Sequence, residues 1–124
     1  MTIGEFSAIT GISAYTLRYY EKKGLIRVSR DSAGRRDYSA DDIEWVKFIR
    51  RLKDTGMLLR DMKLYSDLRY QGDNTMAERM ELLVRHRKSV VEEREKWNEY
   101  LQNLDEKIGI YRERISAALR EKKT

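Results

Sequence analysis

"ISAYTLRYYEKKGLI", residues 12–26, places Tyr15, Arg18, Tyr19 and Tyr20 within barely two helical turns and stops at Gly24. Ser13 follows a Gly11–Ile12 turn, and its hydroxyl can accept from the free amides that open a helix. Leu17 lies four residues after Ser13 and three before Tyr20, the spacing of a core stripe shared with Ile9 and Ile12. Tyr15, Thr16, Arg18 and Tyr19 then project from the other faces. Upstream, Thr2 and Glu5 stand at capping-box spacing and open a first helix. Two short helices joined by a tight glycine turn form the helix-turn-helix pattern, whose second helix enters the DNA major groove at its start. An arginine there can clamp guanine or hold a phosphate, and a tyrosine hydroxyl can donate to a phosphate oxygen. Tyr19 and Tyr20 have a second use, as half-buried rings that pack the segment that follows.

That segment, "LIRVSRDSAGRRDYS", alternates Leu25, Ile26 and Val28, turns at Ser32-Ala33-Gly34 and reaches Tyr38, which predicts a short two-stranded wing. Ser39 with Asp42 predicts a helix start, and Ile43, Val46, Phe48, Ile49 and Leu52 give residues 40–54 an apolar face. Gly56 ends that helix, a shorter one is expected over 59–69, and "QGDN" reads as a linker. Thr75 and Glu78 repeat the capping-box spacing before a long segment. There Leu83, Arg87, Val90, Arg94, Trp97, Leu101, Leu104, Ile108, Tyr111, Ile115 and Ala118 follow one another at alternating steps of four and three. Sustained heptads of this kind predict a coiled-coil helix of about 45 residues, ~68 Å long, whose stripe needs another chain to cover it. Trp97 to Tyr111 is the best apolar block, which favours antiparallel pairing. Arg87 and Arg94 fall in the seam, where pairing is interrupted or where the helix meets the partner's head.

Composition narrows the function. No cysteine occurs and only one histidine, His86, which excludes thiolate chemistry, disulfides and an all-histidine metal centre. No proline interrupts the helices. There is no apolar run near membrane-spanning length and no signal peptide, so a soluble cytoplasmic protein is expected. Residues 1–70 hold 14 Lys/Arg against 10 Asp/Glu, and residues 71–124 hold 12 against 11. The positive excess is N-terminal, as suits a nucleic-acid-binding head on a nearly neutral tail. An enzyme would need a nucleophile–base pair, a metal cluster or a phosphate-cradling glycine loop, and none is present. Heptads alone also permit a coiled-coil adaptor whose head binds protein.

The stretches "TIGEFSAITGISAYTLRYYEKKGLI", "GRRDYSADDIEWVKFIRRLKDTGM" and "LLRDMKLY" resemble the DNA-binding domain of the MerR family of bacterial transcription regulators over about residues 2–69. The resemblance implies a mainly α protein with a winged helix-turn-helix head over 1–70, a linker over 71–75 and an antiparallel coiled-coil dimerisation helix over 76–121. It implies DNA contacts from Arg18 and Tyr20, and base reading from Tyr15 near the helix start. Arg36 and Tyr38 match the wing's arginine and tyrosine, Arg30 precedes the wing turn as a phosphate contact, and Arg50 and Lys53 correspond to a second wing. Arg35 replaces the family's usual tyrosine after the wing glycine, adding a cation and removing a ring. The DNA-contacting set is thus Tyr15, Thr16, Arg18, Tyr19, Tyr20, Arg30, Arg35, Arg36, Tyr38, Arg50 and Lys53. The dimer seam is Val90, Trp97, Leu101, Leu104, Ile108, Tyr111 and Ile115.

The same resemblance implies a homodimer on a palindromic promoter element, distorting an overlong spacer in response to a signal, with RNA polymerase at that promoter. Nucleoid association through DNA follows from it. No cofactor is implied. The short tail is similar to the aldehyde- and electrophile-linked branch, but Arg51 stands where those relatives often carry a reactive cysteine, so a thiol mechanism is excluded. An apolar or aromatic ligand among Trp45, Tyr65, Tyr70, Trp97 and Tyr100 is one remaining trigger, and plain core packing is the other use of those rings.

Overall fold

In the computed structural model, which describes residues 1–123, the chain is built almost wholly from helices. The helices are α1 (Ile3–Thr10), α2 (Ala14–Lys22), α3 (Asp42–Asp54), α4 (Leu59–Gln71) and α5 (Met76–Lys123). Strands β1 (Ser29–Arg30) and β2 (Arg36–Asp37) lie between α2 and α3, and a 3-10 turn, Asp73–Thr75, leads into α5. The two strands pair antiparallel, with Ser29 opposite Asp37 and Arg30 opposite Arg36. This is the expected winged helix-turn-helix head followed by a long C-terminal helix. The chain divides into two compact units, Met1–His86 and the remainder of α5 from Arg87.

Helix starts follow local chemistry, with two revisions. Thr2 and Glu5 form the full capping box, the Thr2 hydroxyl accepting from the Glu5 amide at 3.1 Å. Ser13 Oγ accepts from the Thr16 amide at 3.1 Å and caps α2. At α3 the direction is reversed: the Ser39 amide and hydroxyl donate to the Asp42 carboxylate, at 3.3 and 3.0 Å. Thr75 makes no capping box with Glu78. Its buried hydroxyl donates back to the Leu68 carbonyl at 2.6 Å, with Gly72 O at 2.8 Å, and accepts from Arg79 Nε at 3.1 Å. The end of α4 carries carbonyls that lack helical partners, and a buried hydroxyl answers them before it can cap anything.

The core of the first unit holds Phe6, Ile12, Leu17, Tyr20, Leu25, Ile26, Tyr38, Trp45, Val46, Ile49, Leu52 and Leu82 among its buried residues. Ile9 was expected there and is 51% exposed. Phe6, one turn earlier on α1, fills the position instead, because its ring stacks on Tyr38 at 4.4 Å and 12°. Burying two flat rings face to face removes more apolar surface than an isoleucine would.

After α2 the chain reverses at Gly24, whose φ of 74° is costly for any residue with a Cβ. A Cβ there would also meet Lys63 Cε at 2.8 Å. Beyond the turn, the Leu25 carbonyl accepts two buried hydrogen bonds, from Trp45 Nε1 of α3 at 3.1 Å and Ser66 Oγ of α4 at 2.7 Å. Nearby, the Arg27 amide donates to the Tyr70 hydroxyl at 3.0 Å, and the Arg27 guanidinium lies 4.4 Å from the Tyr70 ring centroid. Trp45 stacks on Tyr65 at 5.7 Å and 17°, and Arg69 covers the tryptophan face at 4.4 Å. Trp45, Tyr65 and Tyr70 are therefore engaged in packing within the first unit. Trp97 and Tyr100 meet edge to face in the second, both exposed.

Along α5 in the second unit, Trp97, Leu101, Leu104, Ile108, Tyr111 and Ile115 are all exposed in the single chain. Val90 is only partly exposed. No helix of the described residues is long and apolar enough to cross a membrane.

The two bonds at the Leu25 carbonyl give a stability test. Ser66→Ala leaves a fully buried site short of its shorter hydrogen bond and should cost about 1–3 kcal/mol. Urea denaturation should show the loss as a lower midpoint at unchanged slope.

Candidate nucleic-acid interface

Helix α2 has one face locked and the others free. Leu17 and Tyr20 are buried, Tyr15 is 79% exposed, Arg18 is exposed, and Thr16 and Tyr19 are partly exposed. The Ser13 hydroxyl donates to Thr16 Oγ1 at 2.9 Å, so the capping residue also orients Thr16. Arg18 makes no ion pair among the described residues, which leaves its five N–H donors available to an incoming anion. Lys23 Nζ lies 5.7 Å from the Tyr19 ring centroid.

Glu21, in the last turn of α2, meets the wing. Its Oε1 accepts from Arg30 Nη2 at 2.8 Å and lies 3.4 Å from Arg36 Nε. The Arg36 N–H is not aimed at that oxygen, and Arg36 Nε, Glu21 Oε2 and the Tyr38 hydroxyl are buried without a hydrogen-bond partner. Burial, followed by the Glu21 carboxylate, raises the Tyr38 phenol above its ordinary pKa, while Arg36, Arg30 and Arg18 pull it down. Arg30 and Arg36 thus meet at one carboxylate, whose charge also reaches the Tyr38 phenol. Burial also raises Tyr20, against the opposing charge of Arg50.

Two of the expected DNA-contacting residues are largely buried in the free chain. Tyr20 and Tyr38 are 1% and 2% exposed, with rings enclosed in the core. Tyr20 lies on the buried Leu17 stripe, and Tyr38 is held face-on by Phe6. Both rings pack α2 and the wing onto the core. Arg50 is exposed, yet its Nη1 donates to the Gly11 carbonyl at 3.1 Å, tying α3 to the turn before α2. Arg35, at the wing tip, lies 3.4 Å from Asp31, and Lys53 near the end of α3 is exposed with no ion pair among the described residues. Neither belongs to the Glu21 cluster. Glu21 is not singled out by the sequence pattern. A lone acid between Arg18 and a basic wing was the available signal, since an anion beside a DNA surface needs a reason.

A capped second helix with a locked face and a free cationic one, flanked by a cation-rich wing, defines a winged helix-turn-helix DNA-binding regulator rather than an enzyme. The family model described as "MerR HTH family regulatory protein" matches residues 1–68, more than half of the chain. The chain belongs to this MerR family of DNA-binding transcription regulators. It is similar to an uncharacterised HTH-type transcriptional regulator of Haemophilus influenzae, 39% identical over 102 residues, which cover 82% of this chain and 76% of that one. Among solved structures it is similar to HiNmlR, a MerR family regulator lacking the sensor domain and bound to promoter DNA, at 36% identity and TM-score 0.78, with 90% of each chain covered. It is also similar to a MerR family transcriptional regulator from Listeria monocytogenes, at 34% identity and TM-score 0.91, over 99% of this chain and 94% of that one.

The raised Tyr38 pKa has a signed consequence. A phenol harder to ionise in the folded state supports folding fully below the ordinary tyrosine value of about 10, and that support is lost as pH rises through the raised value. Tyr38→Phe removes both the titration and a buried hydroxyl without a partner. Its thermal midpoint should equal or exceed that of the wild type at neutral pH and should fall less steeply on alkaline titration.

Proposed function

We propose that the chain acts as a homodimer on a palindromic promoter element. In this reading residues 1–70 are the DNA-binding domain, 71–75 the linker and 76–121 the dimerisation helix, paired antiparallel through Val90, Trp97, Leu101, Leu104, Ile108, Tyr111 and Ile115. The observation that carries it is the pairing of an exposed Tyr15 and Arg18 with a fully buried Leu17 on one capped helix. A helix anchored in this way presents its start to a groove with little freedom to lose. Tyr15, Thr16, Arg18 and Tyr19 address the groove and its edges, while Arg30, Arg35, Arg36, Arg50 and Lys53 address phosphates.

The exposed apolar seam of α5 supports the dimer. Six large side chains at heptad spacing are costly to leave in water, and a second copy offers the same stripe. Two heads then grip both halves of the element and distort the spacer between the promoter boxes, a deformation of order 1–6 kcal/mol repaid by phosphate contacts. RNA polymerase is the partner that reads the distortion, and the site of action is the cytoplasm, on the nucleoid. With no thiol in the chain, an inducing signal acts by noncovalent binding or through another protein.

Two measurements test this reading. Replacing Leu101 and Leu104 together by Glu should convert dimers to monomers in sedimentation and abolish sequence-specific DNA binding. A wild-type chain that stays monomeric at micromolar concentration would refute the dimer. Arg18→Ala should weaken DNA binding far more than Arg120→Ala, which changes the last turns of α5. A base contact should cost about 1–3 kcal/mol with relaxed sequence preference, and a phosphate contact should lower the salt slope by about one. Wild-type affinity independent of salt would point instead to a protein-binding adaptor.

A further inference from the structure

We propose that Glu21 is a positioning residue for the DNA-binding surface, holding the wing's Arg30 and Arg36 in place from the last turn of α2 without touching DNA itself. The inference rests on the DNA-binding reading and adds a residue to it. The wing ladder has only two residue pairs, and one of them sets Arg30 directly opposite Arg36. Like charges opposed across a ladder repel, and a two-stranded ribbon of this size is marginal alone. An anion placed against that pair removes the repulsion and fastens both strands at once. Glu21 Oε1 is so placed, at 2.8 Å from Arg30 and 3.4 Å from Arg36.

The neighbouring acids are committed elsewhere. Asp31 accepts from the Ala33 and Arg35 amides inside the wing turn, both at 2.9 Å. Asp37 is opposite Ser29 and pairs with the Met1 amine at 2.8 Å. Glu21 is therefore the carboxylate that links α2 to the wing among the described residues. Its second oxygen is buried and, like the Tyr38 hydroxyl, has no hydrogen-bond partner. The carboxylate acts through the arginines.

Coulomb's law alone predicts the opposite sign for its removal. Deleting a negative charge beside phosphates should strengthen binding to any duplex. Positioning predicts weaker binding to every duplex, because Arg30 and Arg36 address phosphates. The probes are the duplex that wild-type protein selects from a random-sequence pool and a scrambled duplex of equal length. Glu21→Gln, nearly the same in shape, should bind the selected duplex about tenfold more weakly, the size of one charge-assisted contact, and should bind the scrambled duplex more weakly as well. Amide exchange in the DNA-free protein should speed up at residues 29–37 and not in α3. Binding to the selected duplex as tight as wild type, or tighter, would overturn the proposal.

A second background keeps the test decisive if Glu21→Gln folds poorly. With Arg30→Gln and Arg36→Gln already present, there is no like-charge pair to hold. Adding Glu21→Gln should then leave affinity where it was. A further loss as large as in the wild-type background would show that Glu21 acts by another route. If wild-type protein selects no duplex at all, the DNA-binding reading fails. If it selects one and Glu21→Gln binds it equally well, only the role of Glu21 falls.

Discussion

The Leu25 carbonyl is the point on which the head depends. It lies just past the Gly24 turn, where the chain leaves the recognition helix for the wing, and it accepts from Trp45 of α3 and Ser66 of α4. A buried carbonyl left without donors would be costly, and here both lone pairs are used. The same two bonds fix three elements to one atom. The end of α2 cannot slide along its axis without breaking them, so the register of Tyr15 and Arg18 is inherited from α3 and α4. The stacked Trp45–Tyr65 pair, covered by Arg69, keeps one donor aimed at that atom.

Around this node the charges are arranged by depth. Arg50 bonds the Gly11 carbonyl and braces the turn before α2, while Glu21 binds the wing after it. Tyr20 and Tyr38 fill the space beneath. Side chains that a pattern of bases and rings would assign wholesale to DNA divide into an inner set that sets geometry and an outer set free to meet phosphate. The division follows from the helix period, which brings Tyr20 under Leu17's neighbours and leaves Arg18 outside.

Much of this was legible in the residues. The caps at Thr2 and Ser13, the two-stranded wing and the long heptad helix follow from short-range chemistry, which the chain carries in adjacent positions. Thr75 was misread because capping-box spacing says nothing about carbonyls waiting at the end of α4, seven residues back. Ile9 and Phe6 are both apolar on α1, and only the arrival of Tyr38 from over thirty residues away decides between them. Glu21 was missed for the same reason: its partners, Arg30 and Arg36, become neighbours only after the chain turns at Gly24. Local signals survive in a sequence, whereas choices between equivalent local options are made by tertiary contact.

The wing tip is a separate matter. Asp31 accepts from the Ala33 and Arg35 amides, and its own amide donates to the Arg35 carbonyl at 2.8 Å, so residues 31–35 close on themselves. Among the described residues, the loop borrows no hydrogen bond from the helices. Substitutions at Ser32, Ala33 or Arg35 therefore change the chemistry of the wing tip while leaving the fold's energy nearly untouched. Surface chemistry and thermal robustness are uncoupled at this loop, so a lineage could vary the wing tip without first acquiring spare stability elsewhere.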